Sequence, residues 1–332
     1  MIVKRLIASV VFVLATTLAS ANAQVGLNKL AQSTMNFQLV SVSAKASAMG
    51  EAYYAFGTGA DAMFFNPAGM ADVSTTFDAV ISFTQWIADI NYYAGAISWN
   101  LGNYGVIGLN LLSVDYGTIY ATSLDVQKGY VDDGELQNIG AYSFGISYAK
   151  AISREFMAGA NVRYAAQNLG ENTFNDGTFV KNDAAKLVFD LGVRYYTGFK
   201  DFRFGMAIRN FSSDITREEI AEQLPLTFTL GGALDLMDFV NEDHDKGSSL
   251  TLAADFLHPN NYSERVNMGL EYKVLGVLAL RGGYQTNRDV QSWSAGVGFN
   301  STFGGTTWEV DYSFSKMDVF SNVNRFSVEA AF

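Results

Sequence analysis

From Phe77 to the end of the chain, apolar and polar residues alternate with a period of two, the pattern of strands with two different faces. Leu187, Phe189 and Leu191 share one face, while Asp190 and Arg194 lie on the other. About fourteen such runs occur, at 77–86, 91–101, 103–117, 139–152, 155–168, 185–197, 201–212, 226–238, 249–258, 264–274, 276–286, 291–301, 306–317 and 323–332. Most have the length of about 9–11 residues that a tilted membrane strand requires.

Alternation alone leaves two architectures open, because a soluble β-sandwich also alternates, with its apolar face buried. The connections favour a barrel. Those at 101–103, 152–154, 198–200 and 274–276 are tight, whereas those at 118–138, 169–184 and 213–225 are long and fall at the opposite end. Short periplasmic turns and long outer loops are typical of outer-membrane barrels, with 239–248 as an exception. We predict an all-β fold, an antiparallel transmembrane β-barrel of about 14 strands over residues 76–332.

The polar face of these strands would line the barrel interior, and it is rich in charge of both signs. The predicted interior charges are Arg163, Asp190, Arg194, Arg203, Arg209, Asp255, Glu271, Lys273, Arg281, Glu309, Asp311 and Glu329. Mixed charges on such a wall usually form pairs across neighbouring strands. The alternative is that Arg163, Arg194, Arg203 and Arg209 form a positive ladder that selects anionic head groups.

The first 23 residues have the features of a cleaved signal peptide. Lys4 and Arg5 precede an apolar run from Leu6 to Leu18, and Ala21-Asn22-Ala23 supplies the small residues of a cleavage site. The run is shorter than the ~20 residues of a spanning helix. We therefore predict export, with residues 1–23 removed.

Residues 24–75 precede the strands, and within them the stretch from Leu39 to Ala71 is rich in Ala and Gly and helix-like in places. Asn66 is suited to cap a short helix, Pro67 to begin it and Gly69 to end it. Small side chains allow a close approach to a barrel wall. We predict a small N-terminal plug, or hatch, in which Met49, Gly50 and Asn66-Pro67-Ala68-Gly69 control the path. An ordinary capped turn that holds the N-terminus in place is the alternative.

The same segment resembles a known family. Ser43-Ala44, Ser47-Ala48-Met49-Gly50-Glu51-Ala52, Ala60-Asp61-Ala62 and Phe65-Asn66-Pro67-Ala68-Gly69 look like the N-terminal signature of the PorV/PorQ family, which is related to the FadL-type transporters of hydrophobic compounds. The resemblance implies a fourteen-strand outer-membrane barrel with a small hatch. It also implies work with the type IX secretion system, whose exported proteins would be bound at the outer face.

Two further segments bear on assembly and partners. The chain ends in Phe332, an aromatic residue on an amphipathic strand, which resembles the signal read by the outer-membrane barrel assembly machinery. Residues 213–224 have capping-box spacing at Thr216 and Glu219 and a hydrophobic staple at Ile215 and Ile220. We expect a short amphipathic helix there, at the outer rim.

Composition narrows the functional classes. The formal net charge of −11 disfavours nucleic-acid binding, and the absence of cysteine removes disulfides and thiolate metal sites. The two histidines, His244 and His258, would lie at opposite ends of a barrel, so they cannot form one catalytic site. The acidic link around His244 has the carboxylates of a Ca²⁺ site, but a solvated turn explains it better. We therefore predict a protein that is not an enzyme and has no cofactor or metal.

Two functions remain open at this point. The first is a PorV/PorQ-type component of type IX secretion that binds or shuttles exported proteins. The second is FadL-like passage of hydrophobic small molecules such as long-chain fatty acids or hydrocarbons, for which we expect an apolar pocket beside the hatch and a sideways opening in the wall. A purely structural barrel is a third interpretation. In each case the surroundings are outer-membrane lipid and lipopolysaccharide.

Overall fold

The computed structural model describes residues 33–125, 127, 129–136, 138–173, 178–217, 220–239 and 247–332. The predicted signal peptide, residues 24–32 of the predicted hatch and His244 lie outside the described residues. No helix among the described residues is long and apolar enough to cross a membrane.

Fourteen antiparallel strands close into one barrel, in which each strand pairs with its neighbours along the chain and the first pairs with the last. The strands, including two short hairpins, are β1 (Phe77–Gln85), β2 (Asn91–Asn100), β3 (Val106–Asp115), β4 (Tyr120–Asp125), β5 (Gly129–Glu135), β6 (Gly140–Ala151), β7 (Phe156–Thr173), β8 (Phe179–Tyr196), β9 (Arg203–Phe211), β10 (Ile215–Arg217), β11 (Ile220–Glu222), β12 (Thr227–Asp235), β13 (Ser249–Pro259), β14 (Arg265–Val274), β15 (Leu278–Gln285), β16 (Gln291–Phe303), β17 (Thr306–Met317) and β18 (Val323–Ala331). The predicted architecture and strand number are confirmed.

The barrel closes next to the C-terminal residue. The backbone N–H groups of Thr76 and Phe77 both donate to the carbonyl oxygen of Phe332, each at 2.8 Å. This rim also holds tight connections such as 101–105, 152–155 and 304–305, and we call it the short-turn end. The opposite rim, with the β4–β5 and β10–β11 hairpins, is the long-loop end.

The two faces of the wall have opposite chemistry. Outward side chains are large and apolar, and many of them are about half exposed, as Leu111 (50%) and Leu191 (56%) are. Inward side chains on the same strands are polar and buried, as Asn110 (2%) and Asp190 (2%) are. An apolar exterior around a polar interior is the pattern of a membrane barrel and the reverse of a soluble sandwich.

The interior is filled by residues 33–75, which we call the plug. Its short helical pieces are Asn36–Leu39, Ala44–Ala48, Ala60–Phe64 and Pro67–Ala71, of which only Ala44–Ala48 is an α-helix. The helix Ala44–Ala48 packs on β15–β18, Ala60–Phe64 packs on β1–β3 and Pro67–Ala71 packs on β6–β8. The remaining 3-10 turns, Ile87–Asp89, Gly102–Tyr104 and Met237–Phe239, lie in connections between strands.

Glycines of the wall let the plug approach the strand backbone directly. A Cβ at Gly283 would collide with the backbone of Met49 and Gly50, and a Cβ at Gly159 would collide with the backbone of Pro67 and Ala68. Gly50 itself has a φ of +62°, a conformation that glycine adopts without cost. Small residues on both sides therefore set the distance between plug and wall.

The structure corrects the helix expected at 213–224. Residues Ile215–Arg217 and Ile220–Glu222 instead form a small antiparallel hairpin. Ile215 is buried with Leu224 against Met35 and Phe37 of the plug, whereas Ile220 is 70% exposed, so the predicted staple does not form. Side chains of a strand alternate between two faces, and Ile215 is on the face that packs against the plug. This tertiary contact outweighs the local capping-box pattern.

Two of the expected long loops contain further strand pairing. Tyr120–Asp125 pairs with Gly129–Glu135 in the β4–β5 hairpin, within the long connection between β3 and β6. In 169–184, β7 continues to Thr173 and β8 begins at Phe179, because these two strands go on pairing beyond the rest of the wall.

The glycine contact generates a prediction with a control one residue away. Gly283→Val in β15 would push against the plug backbone and lower the free energy of unfolding by about 1–3 kcal/mol, the usual cost of overpacking. Gly282 has open space where its Cβ would lie, so Gly282→Val should change stability little. Guanidinium titrations of both variants in lipid vesicles measure the difference, and equal losses would contradict the proposed contact.

Candidate functional site

Ion pairs hold one side of the plug on the wall. Lys45, in the helix Ala44–Ala48, places its Nζ 2.8 Å from Glu309 on β17 and 3.5 Å from Glu329 on β18. Arg281 on β15 contacts Glu309 at 2.9 Å, Glu271 at 2.6 Å and also Asp311. Lys45 and Arg281 thus contact four carboxylates that have little exposure. Negative charge is in excess in this group, which we call the Lys45 seat.

Asp61 of the plug lies next to this acidic region and is 3% exposed. Its Oδ2 accepts a hydrogen bond from Ser43 Oγ at 2.5 Å. Burial raises the pKa of Asp61 to about 6, although the hydrogen bond from Ser43 and the charge of Lys45 oppose the shift. Asp61 therefore changes charge near neutral pH.

Hydrogen bonds fix the opposite side of the plug, around Asn66. Its side-chain oxygen accepts from Ala68 N at 3.1 Å and caps the turn Pro67–Ala71. Its amide nitrogen donates to the carbonyl oxygens of Tyr54 (2.8 Å) and Val193 (3.1 Å). Asn66 therefore joins two parts of the plug to β8. The predicted end at Gly69 is wrong, because the turn continues to Ala71, and the N–H of Asp72 donates to the carbonyl oxygen of Gly69.

The four arginines of the predicted ladder each have a partner. Arg163 pairs with Asp190 at 2.9 Å, Arg194 with Asp72 at 2.8 Å, Arg203 with Asp201, and Arg209 with the hydroxyl of Tyr54 at 3.1 Å. These arginines are therefore used in holding the wall and the plug together. All twelve predicted interior charges are buried or half-buried, as expected of the inward face: Arg163, Asp190, Arg194, Arg203, Arg209, Asp255, Glu271, Lys273, Arg281, Glu309, Asp311 and Glu329.

An inner cavity of about 60 Å³ remains between plug and wall near the long-loop end. Leu39, Val40 and Phe64 of the plug and Leu112 of β3 form its apolar side. Four arginines line it as well, Arg163, Arg209, Arg265 and Arg288. Because sites for organic ligands usually measure about 300–1,000 Å³, this cavity is too small for one while the plug stays in place. The expected apolar pocket beside the hatch is thus replaced by a small cavity of mixed polarity.

A larger outer recess of about 560 Å³ opens above the cavity at the long-loop end. Phe37 of the plug and Trp86, Tyr92 and Tyr116 of the wall supply its aromatic surface. Residues Leu39, Val40, Glu51 and Arg288 line both the outer recess and the inner cavity, and so form the partition between them.

Sequence reasoning missed Arg265, Arg288 and Glu51. The sequence could have revealed Arg265, because this residue lies two positions before Asn267 and therefore on the same inward face as Asn267 and Glu271. Arg288 lies in the 286–290 connection, where no periodicity assigns a face. Only the folded chain brings these two arginines to the plug.

The wall shows one irregularity near the site. The pairing of β8 with β9 shifts register between Phe189 and Leu191, and Asn210 opposite has a φ of +61°. Asp190 and Arg163 fill the irregularity with hydrogen bonds to Asn210, at 2.8 Å to its N–H and 2.7 Å to its side-chain oxygen. The barrel strands remain paired all the way round, so the sideways opening expected for uptake is not formed among the described residues.

Other predicted residues are placed as follows. Phe332 is 56% exposed and stacks on Phe77, with ring centroids 5.4 Å apart. His258 is exposed and lies 3.3 Å from Glu264. Among the described residues, no group of three or more His, Cys, Asp or Glu side chains is arranged to hold a metal ion.

Comparison with known proteins identifies the fold. No protein-family model and no curated protein matches the chain. The Ralstonia pickettii toluene transporter TbuX superposes with a TM-score of 0.58 at 16% identity, over 86% of this chain and 97% of that one. The Pseudomonas putida toluene transporter TodX gives 0.56 at 12% identity, over 86% and 96%. A Pseudomonas aeruginosa FadL homologue gives 0.52 at 12%, over 88% and 98%. The chain therefore has a FadL-like outer-membrane β-barrel fold, as predicted.

The buried carboxyl of Asp61 predicts a pH dependence. Because its pKa is higher in the folded chain, the folded state binds the proton more tightly, and stability falls as pH rises from about 4 through about 6. Two pKa units correspond to about 3 kcal/mol. Asp61→Asn should therefore be more stable than the wild type at pH 8 by up to that amount, and similar to it at pH 4. Guanidinium titrations at both pH values measure this, with the exposed Asp214→Asn as control; a pH-independent difference would contradict it.

The Asn66 contacts predict a graded loss. Asn66→Ala removes the cap and leaves two carbonyl oxygens without their donor, which should lower the free energy of unfolding by about 2–3 kcal/mol. Asn66→Ser keeps a capping oxygen and should lose less. Asn91, exposed and bonded only to the carbonyl of Asp89, supplies the control Asn91→Ala. Equal effects of Asn66→Ser and Asn66→Ala would show that the cap contributes nothing.

Proposed function

We propose that this chain is an outer-membrane channel for hydrophobic small molecules, exported by its signal peptide and closed by the movable plug of residues 33–75. The observation that supports this most directly is the pair of compartments on the two sides of one partition. An aromatic recess faces the long-loop end, and a small cavity lies below it between plug and wall. Structures with the same fold include proteins named as toluene transporters.

The outer surface of the barrel indicates how the protein lies in the membrane. The outward apolar rows suit lipid, and the short-turn end carries stacked aromatic rings such as Phe77 with Trp99, 5.4 Å apart. Aromatic girdles of this kind lie at membrane interfaces. We place the short-turn end at the periplasm and the long-loop end at the lipopolysaccharide surface. Phe332 would be read by the barrel assembly machinery.

The route would run from the outer recess past the partition and along the plug. In the present state the inner cavity is too small for an organic molecule, so passage requires the plug to shift. The plug is suited to this, because it is held by side-chain pairs and glycine contacts and shares no strand of the barrel.

A second candidate is the type IX secretion role implied by the PorV/PorQ resemblance. The observation in its favour is the projecting β4–β5 and β7–β8 hairpins, which expose Tyr120 (59%), Tyr130 (68%) and Phe179 (61%). Exposed aromatic rings at a projecting rim are suited to holding another protein. Deletion in the native host distinguishes the two: lost exported proteins with normal growth on hydrophobic carbon sources would favour secretion.

The plug movement can be tested by a reversible cross-link. The chain has no cysteine, and a Cβ at Gly269 of β14 would lie 3.0 Å from the Cβ of Met49. Disulfides join Cβ atoms about 3.5–4.5 Å apart, and a Cβ at Gly269 would also lie 2.5 Å from the carbonyl oxygen of Met49. Met49→Cys with Gly269→Cys therefore requires the plug backbone to shift away from β14 by about 1 Å. We expect the oxidised double variant to block uptake of radiolabelled toluene by intact cells lacking their own transporters, and reduction to restore it.

Intact cells are needed because lipopolysaccharide slows free diffusion of toluene. Each single cysteine variant, treated with the same oxidant, is the control. Unchanged uptake by the fully cross-linked protein would mean that the plug does not move aside. No uptake by the wild type, with the barrel correctly inserted, would contradict the channel itself.

A further inference from the structure

Arg265, at the start of β14, is a buried cation without an anionic contact. It is 8% exposed, its Nε has no hydrogen-bond partner, and it forms no ion pair with any residue that the structure describes. Its guanidinium lies 4.2 Å from the centre of the Tyr262 ring, which fixes its plane. A buried arginine normally has a carboxylate or other acceptor. Arg265 lines the inner cavity, so its free donors meet that space.

Arg288 lies close to Arg265 and is only partly satisfied. Its Nη2 contacts Glu51 of the plug at 3.0 Å, while its Nε has no hydrogen-bond partner. Among the described residues, Glu51 is the only carboxylate that lines the inner cavity, against four arginines. The exposed Asp289 also acts on Arg265 electrostatically. Two neighbouring arginines with one shared carboxylate leave a deficit of negative charge at the partition.

Glu51 has an unusual backbone conformation, in the turn that ends the helix Ala44–Ala48, where its N–H donates to the carbonyl oxygen of Ala46 at 2.8 Å. Its φ is +64°, in the left-handed region that a residue with a side chain seldom adopts. The plug thus places one carboxylate of its own on Arg288, in the wall of the space that Arg265 faces. A second oxyanion would complete the coordination of Arg265 and compete with Glu51 for Arg288.

We propose that Arg265 and Arg288 form an oxyanion site, and that Glu51 is a built-in competitor which an incoming carboxylate, sulfate or phosphate group displaces. Displacement breaks an ion pair between plug and wall at the partition, so binding of the anion would release that corner of the plug. The inner cavity of about 60 Å³ suits a head group and not a chain. The apolar side chains Leu39 and Val40 continue from it into the outer recess, where a chain would lie.

The assignment of an amphiphile rests on the proposed channel function, whereas the oxyanion site itself does not. The chemistry recognised is the same for the head group of an amphiphile and for a free oxyanion. Chain-bearing and chain-free probes therefore separate the two sources.

The test measures binding to the full-length protein in phosphatidylcholine nanodiscs at pH 8, with empty nanodiscs subtracting partition into lipid. The probes are sodium decanoate, 1-decanol and inorganic phosphate. The wild type should bind decanoate about tenfold more tightly than decanol, as charge-assisted bonds to arginine predict. Arg265→Gln should reduce this preference to near unity, and Arg154→Gln, an exposed arginine at the short-turn end, should leave it unchanged.

Glu51→Gln gives the readout that a merely structural role would not move. Removing the competitor should raise the affinity for decanoate, by about three- to tenfold, and leave that for decanol unchanged. A gain of affinity cannot result from misfolding. Arg265→Lys, which keeps the charge, should retain part of the preference for decanoate.

Equal binding of decanoate and decanol by the wild type, with no binding of phosphate, would overturn the site. An unchanged decanoate affinity in Glu51→Gln would overturn the displacement. Phosphate binding that equals decanoate binding and is lost in Arg265→Gln would support the site with a free oxyanion as its ligand. Toluene uptake that does not depend on Arg265 would support the channel whatever the binding data show. The binding data alone decide the oxyanion site, so the two proposals can fail separately.

Discussion

Charge buried between the plug and the wall is the constraint on which this structure depends. A charged side chain in a filled interior is costly unless it is paired. Lys45 meets Glu309 and Glu329, and Arg194 meets Asp72. The wall cannot satisfy all of these groups alone, because plug residues supply Lys45 and Asp72. Plug and wall are therefore complementary in charge, and the buried charged residues of each one require partners on the other.

This kind of attachment combines firm seating with the ability to detach. Every barrel strand has both edges paired, so the wall is a continuous backbone network. The plug contributes no strand to it and is held by side chains and by close contacts at glycines such as Gly159 and Gly283. Side-chain pairs can be exchanged for water or ligand without breaking the sheet. The contact between Glu51 and Arg288 in the partition has open space on both sides, the inner cavity and the outer recess.

The two groups of polar contacts around the plug differ in character. At the Lys45 seat, carboxylates outnumber cations, and the neighbouring Asp61 has a raised pKa because it is buried. At the Arg265 corner, cations outnumber carboxylates. The prediction for Asp61 and the proposed oxyanion site therefore concern opposite sides of the plug, one sensitive to protonation and the other to anions. This asymmetry arises because different parts of the wall bring charges of different sign to the same plug.

Alternation with a period of two determined the strand number, the pairing order and the inward face, because each strand must show one side to lipid and the other to the interior. It also identified twelve interior charges, from Arg163 to Glu329, which are all buried or half-buried. It did not determine the hairpin at 215–222, where local helix signals at Thr216 and Glu219 competed with burial of Ile215 against a plug more than 150 residues away in sequence. Nor did it give the partners of Arg265 and Arg288, or the Glu51 contact. Periodicity fixes the direction of a side chain within its own strand, whereas contacts between the plug and distant strands exist only after the barrel has closed around it.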